Sequence, residues 1–285
     1  MSHPREYIVA ALRATRLLAA YNAAKFHFVV SKAKADNETF LREHPGFNVP
    51  SLALCYDAYG HVSYRDYFES GRKHAEFFAG LINAAGLRDA AVLEWGCGPA
   101  RVIRHLGEFL SGKASLAGAD YNAETIAWCR ENIPGIRFEK NELAPPLPFA
   151  AASFDAIYAL SVITHLSEKM HGEWRDELLR VLKPGGLLIV TSHGDWYREH
   201  HLLPAERAQY DAGRLVVRGG IEEGKKWFAA FHPPAYMRGS FFRGMEIKEH
   251  LIHPLPGSIE QDVWVARKPA QAGVASRALE AGQPC

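Results

Sequence analysis

Two acids and a pair of glycines carry the chemistry that this sequence offers most plainly. Residues 92 to 101 read Val-Leu-Glu-Trp-Gly-Cys-Gly-Pro-Ala-Arg, so Glu94 stands just ahead of a Gly-x-Gly turn, and Asp120 ends the next short apolar run. Gly96 and Gly98 lack a Cβ, can take positive φ, and let main-chain N–H groups and a following helix N-terminus come close to a charged ligand. An acid at the separation of Asp120 sits at the tip of a second strand, where it can accept hydrogen bonds from both hydroxyls of a ribose. Gly-x-Gly turns also serve packing alone, so at this point ligand binding and simple packing both stand.

The elements that must position these residues alternate. An apolar strand leads into the turn, a helix-like stretch runs from Arg101 to Leu110, and a second strand covers Ser115 to Ala119. A third lies around Phe138-Glu139-Lys140-Asn141, followed by the Pro-rich turn 144–149 and a fourth strand at 153–160. Leu182-Lys183-Pro184-Gly185-Gly186 closes a helix ahead of a fifth strand at 187–192, since proline cannot continue the helix and Gly185 or Gly186 supplies a left-handed end. The dinucleotide fingerprint wants a third glycine where Arg101 stands, which leaves less room for a pyrophosphate.

Taken in this order and spacing, the glycine turn, Asp120, Leu147-Pro148-Phe149 with Ser153-Phe154-Asp155, and Leu182-Lys183-Pro184-Gly185-Gly186 resemble the class I S-adenosylmethionine-dependent methyltransferases over residues 70 to 268. Ser161-Val-Ile-Thr-His-Leu166 and Gln261-Asp-Val-Trp-Val-Ala-Arg267 fit a bacterial small-molecule-like branch. The resemblance implies an α/β fold: a Rossmann-like, doubly wound seven-stranded sheet with helices on both faces, the last strand antiparallel, and an N-terminal helical cap. It divides the chain into a cap or lid at 1–69, a core at 70–268 with a substrate-covering insertion at 194–240, and a disordered tail at 269–285. The implied cofactor is S-adenosyl-L-methionine, leaving S-adenosyl-L-homocysteine, with the methyl passed in line to oxygen or nitrogen of a small metabolite. The same cofactor could instead serve aminoalkyl transfer or cyclisation releasing methylthioadenosine, or be bound by a non-catalytic protein.

The resemblance also assigns residues. Glu94, Gly96, Cys97 and Gly98 approach the methionine part, Asp120 the ribose and Tyr121 the adenine, while Asn141 accepts from the adenine amine in place of the aspartate of many relatives. Glu142, Leu143, Leu160 and Ser161 complete the cofactor set, and Tyr67, Gly71 and Arg72 lie just before the first core helix, Arg72 being either a carboxylate clamp or a solvated arginine. His165 is the first candidate proton acceptor and His193 the second, because histidine titrates near neutral pH; His165 equally suits a helix cap. Arg101, Trp196, Tyr197, His200, Phe231, His232 and Tyr236 are candidates for the substrate pocket, the aromatic ones having core packing as their other reading. No metal is needed, because a sulfonium methyl is already electrophilic and the protein must mainly align a nucleophile and take a proton.

Composition agrees. Over 285 residues, Lys+Arg 33 against Asp+Glu 32 leaves a formal charge of +1, which provides no global basic field for nucleic acid. Cysteines at 55, 97, 129 and 285 form no Cys-x-x-Cys pair, as expected of a reducing cytoplasm. Leu17-Leu18-Ala19-Ala20 is too short for a membrane span. One or two amphipathic helices are expected between Pro4 and Lys34, with Ile8, Leu12 and Leu18 on the core. The sequence carries no signal of oligomeric state.

Overall fold

The computed structural model describes residues 18–270 apart from 226 and 258. The expected contacts of Ile8 and Leu12 and the tail from 271 onward lie outside the described residues, and so does the side chain of Leu18. Three helices come first: α1 (Leu18–Glu43), α2 (Leu52–Tyr59) and α3 (Tyr64–Ala84). Alternation then follows as β1 (Ala91–Trp95), α4 (Ile103–Leu106), β2 (Ser115–Asp120), α5 (Ala123–Asn132), β3 (Arg137–Lys140), β4 (Phe154–Ala159), α6 (Glu168–Val181) and β5 (Leu182–Ser192). Beyond β5 come α7 (Asp195–His201), α8 (Pro204–Asp211), the hairpin β6 (Val216–Arg218) and β7 (Ala229–Phe231), then β8 (Glu246–Leu251) and β9 (Asp262–Arg267).

The main sheet has seven strands in the order β3-β2-β1-β4-β5-β9-β8. Its first five are parallel, and β9 runs antiparallel between β5 and β8. Both faces are covered, which is why the parallel strands read as nearly unbroken apolar runs. Alternation in β1 sends Leu93 and Trp95 to the face packed by Trp174 and Leu178 of α6, and Val92 to the face packed by Ala75, Phe78 and Ile82 of α3. That parity leaves Glu94 as a buried acid on the α3 side of the sheet.

Local departures from the sequence reading have local causes. Regular helix after the glycine turn is confined to Ile103–Leu106, with turns on either side ending at left-handed Gly112. α6 stops at Val181, so Leu182-Lys183-Pro184-Gly185-Gly186 already belongs to β5, with Gly185 at φ 76°. α3 runs unbroken through residue 69, so the cap and the core share a helix. Asn37 of α1 ties down the α2–α3 connection, donating to Val62 O at 2.8 Å and accepting from Tyr64 N at 2.9 Å.

Candidate functional site

A cleft of about 750 Å³ lies over the carboxyl ends of β1, β2 and β4. Its floor is the glycine turn. Gly96 (φ 74°) and Gly98 (φ 50°) are both left-handed, and a Cβ on Gly96 would overlap Val162 Cγ2. The turn's donors, however, are already occupied: Gly96 N and Cys97 N bond Ala119 O at 2.8 and 3.0 Å, and Gly98 N bonds Asp120 Oδ2 at 2.9 Å. The N-terminus of α4 is occupied too, because Ile103 N donates to Glu94 Oε2 at 3.0 Å. Tyr158 donates to the same oxygen at 2.9 Å, yet burial pushes the Glu94 carboxyl up to about 8. The glycines therefore supply close approach, and the helix end that would greet a pyrophosphate is filled by the chain's own Glu94 carboxyl group.

Asp120 is buried at the end of β2 and accepts from Gly98 N through Oδ2 and from Asn122 N through Oδ1, at 2.8 Å for the latter. Each carboxylate oxygen keeps a further lone-pair site. Burial raises its pKa against the pull of these amides. Asn122 in turn caps α5 by accepting from Glu124 N and Thr125 N. Asn141, buried after β3, donates to Glu142 O at 2.6 Å, while its Oδ1 is buried with no partner among the described residues. An orphaned acceptor in a cleft invites a ligand N–H. Tyr121 borders the same end, with its hydroxyl donating to Gly224 O at 3.2 Å and Leu143 lying against Gly224. A nucleoside fits this donor-and-acceptor set: Asp120 for a diol, Asn141 for an exocyclic amine, and Tyr121 and Leu143 for a flat base.

Glu142, Leu160, Ser161 and His165 also line the cleft. His165 Nδ1 lies 2.7 Å from Phe228 O, so Nδ1 carries the proton and Nε2 keeps its lone pair. Burial lowers the pKa of the ring. Arg101 lines the cleft as well, buried, donating to Ser70 Oγ at 2.6 Å beneath the Tyr59 ring, and its Nε has no partner among the described residues.

Nine sequence candidates stand elsewhere. Tyr67 braces the turn from behind, donating to Pro99 O at 2.6 Å, and Gly71 lets α3 pack on the Arg101 backbone, which a Cβ would overlap. Arg72 faces out, paired with Glu108 at 3.2 Å. Thus Arg101, not Arg72, is the arginine inside the cleft. His193 is buried against Ala230 O and stacked on Tyr197 at 3.9 Å, its pKa pushed down to about 3 by burial. Trp196 and His200 stack on each other along α7, Phe231 packs on His193, and His232 and Tyr236 gather around His171. Of the substrate candidates in the insertion, only Tyr197 reaches the cleft.

The sequence reading missed a second wall. Asp57, Tyr59 and His61, around the end of α2, cover the turn from above, the Tyr59 hydroxyl lying 3.4 Å from where a Gly98 Cβ would stand. It also missed Gln261, at the entry to β9, which lines the cleft. Among the described residues, no group of three or more His, Cys, Asp or Glu is arranged to hold a metal, and no helix is long and apolar enough to cross a membrane.

Residues 92–186 match a family model described as a methyltransferase domain. A trans-aconitate 2-methyltransferase of Azoarcus sp. is 32% identical over 137 residues, 48% of this chain and 52% of that protein. A phthiotriol/phenolphthiotriol dimycocerosates methyltransferase of Mycobacterium ulcerans is 33% identical over 125 residues, 43% of this chain and 45% of that protein. The chain thus spans about half the length of the curated relatives it matches. A solved S-adenosylmethionine-dependent methyltransferase of Methanosarcina mazei superposes with TM-score 0.50 at 22% identity, over 67% of this chain and 98% of that one. The glycopeptide N-methyltransferase MtfA, solved with S-adenosylhomocysteine, gives 0.51 at 15%, over 73% and 94%. At these identities the likeness is one of fold.

Proposed function

Since the chain carries a domain of the class I S-adenosylmethionine-dependent methyltransferase family, we propose that it transfers the methyl group of S-adenosylmethionine to an oxygen or nitrogen of a small molecule in the cytoplasm. The observation that carries this reading is the pairing of Asp120 with the orphaned Asn141 Oδ1 in one cleft whose helix N-terminus Glu94 already fills. That set suits a single nucleoside better than a dinucleotide, whose pyrophosphate would find the end of α4 already occupied by Glu94.

When bound, S-adenosylmethionine supplies an electrophilic methyl. The chain's own residues do the rest. Asp120 and Asn141 hold the nucleoside end, the left-handed glycines allow close contact, and Arg101 stands ready for a carboxylate. His165, with Nδ1 anchored on Phe228 O, takes a proton at Nε2 from the attacking group. Asp57 and Tyr59 of the cap, with Gly224 and Trp227, border the cleft.

The test is incubation with S-adenosylmethionine and candidate acceptors, followed by mass spectrometry. Trans-aconitate, the substrate in the name of the Azoarcus relative, is the first acceptor to try. Acceptor-dependent S-adenosylhomocysteine is expected, whereas methylthioadenosine formed without an acceptor would overturn methyl transfer. With an acceptor in hand, His165→Asn keeps a donor near the Nδ1 position for Phe228 O but provides no base, and kcat is expected to fall about 10²-fold while S-adenosylhomocysteine binding holds.

A further inference from the structure

At the other end of the cleft, three adjacent strands each contribute one polar group. Ser161 follows β4 with a left-handed φ of 60°, unusual for a residue with a Cβ, Thr191 lies in β5, and Gln261 enters β9. Ser161 N donates to Thr191 Oγ at 2.8 Å, and Thr191 donates to Gln261 Oε1 at 2.5 Å. Gln261 Nε2 donates to Ser161 Oγ at 2.7 Å, and the same side chain acts on the Tyr197 hydroxyl in the sense of a donor, opposing the rise that burial imposes on its pKa. Thr191 and Gln261 are buried.

The direction of this network follows from what each group can do. A carboxamide has one acceptor oxygen and two N–H donors. Thr191 occupies the oxygen, so Gln261 meets its other neighbours with N–H: Nε2 donates to Ser161 Oγ, and the side chain acts as a donor toward Tyr197 Oη. Each hydroxyl thereby keeps its own hydrogen to give. Ser161, Tyr197 and Gln261 all line the cleft, on the wall away from Asp120 and Asn141.

We propose that Gln261 is a positioning residue that presents the hydroxyl hydrogens of Ser161 and Tyr197 to the cleft, so that the methyl acceptor is recognised through a carboxylate or carbonyl oxygen. This rests on the methyl-transfer reading above. A group with lone pairs and no hydrogen uses both donors at once, whereas an ammonium brings hydrogens to a wall that already presents them.

Matched aromatic probes test this on the full chain saturated with S-adenosylhomocysteine: benzoate, benzamide and benzylamine, titrated by calorimetry and by the ring resonance of Tyr197, assigned with Tyr197→Phe. Benzoate is expected to bind and shift that resonance, and benzylamine to do neither. Benzamide binding like benzoate identifies a carbonyl requirement, and benzamide failing identifies a carboxylate. Gln261→Leu should weaken benzoate about tenfold or more, since two hydroxyls lose their orientation. Gln261→Glu accepts from both hydroxyls and turns their lone pairs outward, so preference should move toward benzylamine, an outcome that mere structural support would not produce. If Gln261→Leu fails to fold, the near-isosteric Gln261→Glu carries the test. Equal binding of benzoate and benzylamine, no benzoate binding, or unchanged preference in Gln261→Glu overturns the inference. Failure of S-adenosylhomocysteine to bind at the outset overturns instead the methyl-transfer reading.

Discussion

Replacing Asp120 by alanine is expected to weaken S-adenosylhomocysteine binding about 10³-fold, because hydrogen bonds to a charged acceptor contribute about 1.5–3 kcal/mol each and a ribose diol offers two. Asp120 also holds Gly98 N and Asn122 N, so the glycine turn loosens with the same substitution. Asp120→Asn separates the two effects in part. Its amide oxygen still accepts one backbone N–H, but its NH₂ must face the other, and affinity should fall by a similar factor. Calorimetric titration of each variant, with circular dichroism to verify the fold, gives the result. An affinity for Asp120→Ala close to wild type would remove Asp120 from the cofactor site.

Mild acid is expected to destabilise the domain. Burial holds His74 and His171 at about 4 and His193 at about 3, against an ordinary histidine value of 6.5. These groups are neutral in both folded and unfolded chains above 6.5, and no stability is lost there. As pH falls below 6.5 the unfolded chain takes protons that the folded one refuses, which by pH 5 costs about 2 kcal/mol per imidazole. Glu94 works in the opposite sense. Its carboxyl, raised to about 8, is protonated in the folded state first, and folding regains about 3 kcal/mol between pH 7.5 and 5. The difference leaves a net loss of about 3 kcal/mol, or a melting temperature lower by about 6–12 °C. Thermal melts from pH 7.5 to 5 check this. Glu94→Gln should steepen the fall by removing the offset, and His193→Gln should flatten it; a melting temperature that is flat across the range would contradict the burial of these histidines.

How far the sequence could be read depended on how local each signal was. The first five strands, the glycine turn and the acid at the end of β2 were legible because each is fixed by a short run of neighbours: apolar residues, then glycine, then an acid. Asn141 was singled out only through the family resemblance, in the place where many relatives carry an aspartate. Arg72 and Arg101 could not be separated in this way, since which one enters the cleft depends on how α3 packs against the turn, and Gly71 decides that by letting the Arg101 backbone come close. The aromatics of 194–240 misled because an aromatic side chain suits a pocket and a core equally; here Tyr210 and Phe231 pack between α7, α8 and the β6–β7 hairpin, while His232 and Tyr236 pack around His171. Tyr59 and His61 left no local mark, and Gln261 left only its place in the run 261–267. Tyr59 meets Gly98 across 39 residues of chain, and Gln261 meets Ser161 across 100.

The place of β9 bears on how the protein is made. This strand is nearly the last described element in the chain, yet it is interior to the sheet, between β5 and β8. Until residues 262–267 have left the ribosome, β5 presents an open edge and β8 has no neighbour, an exposure that invites wrong pairing or chaperone capture. Because Gln261 enters on that strand, the end of the cleft bordered by Asp120 and Asn141 can form on a nascent chain well before the end bordered by Ser161 and Gln261.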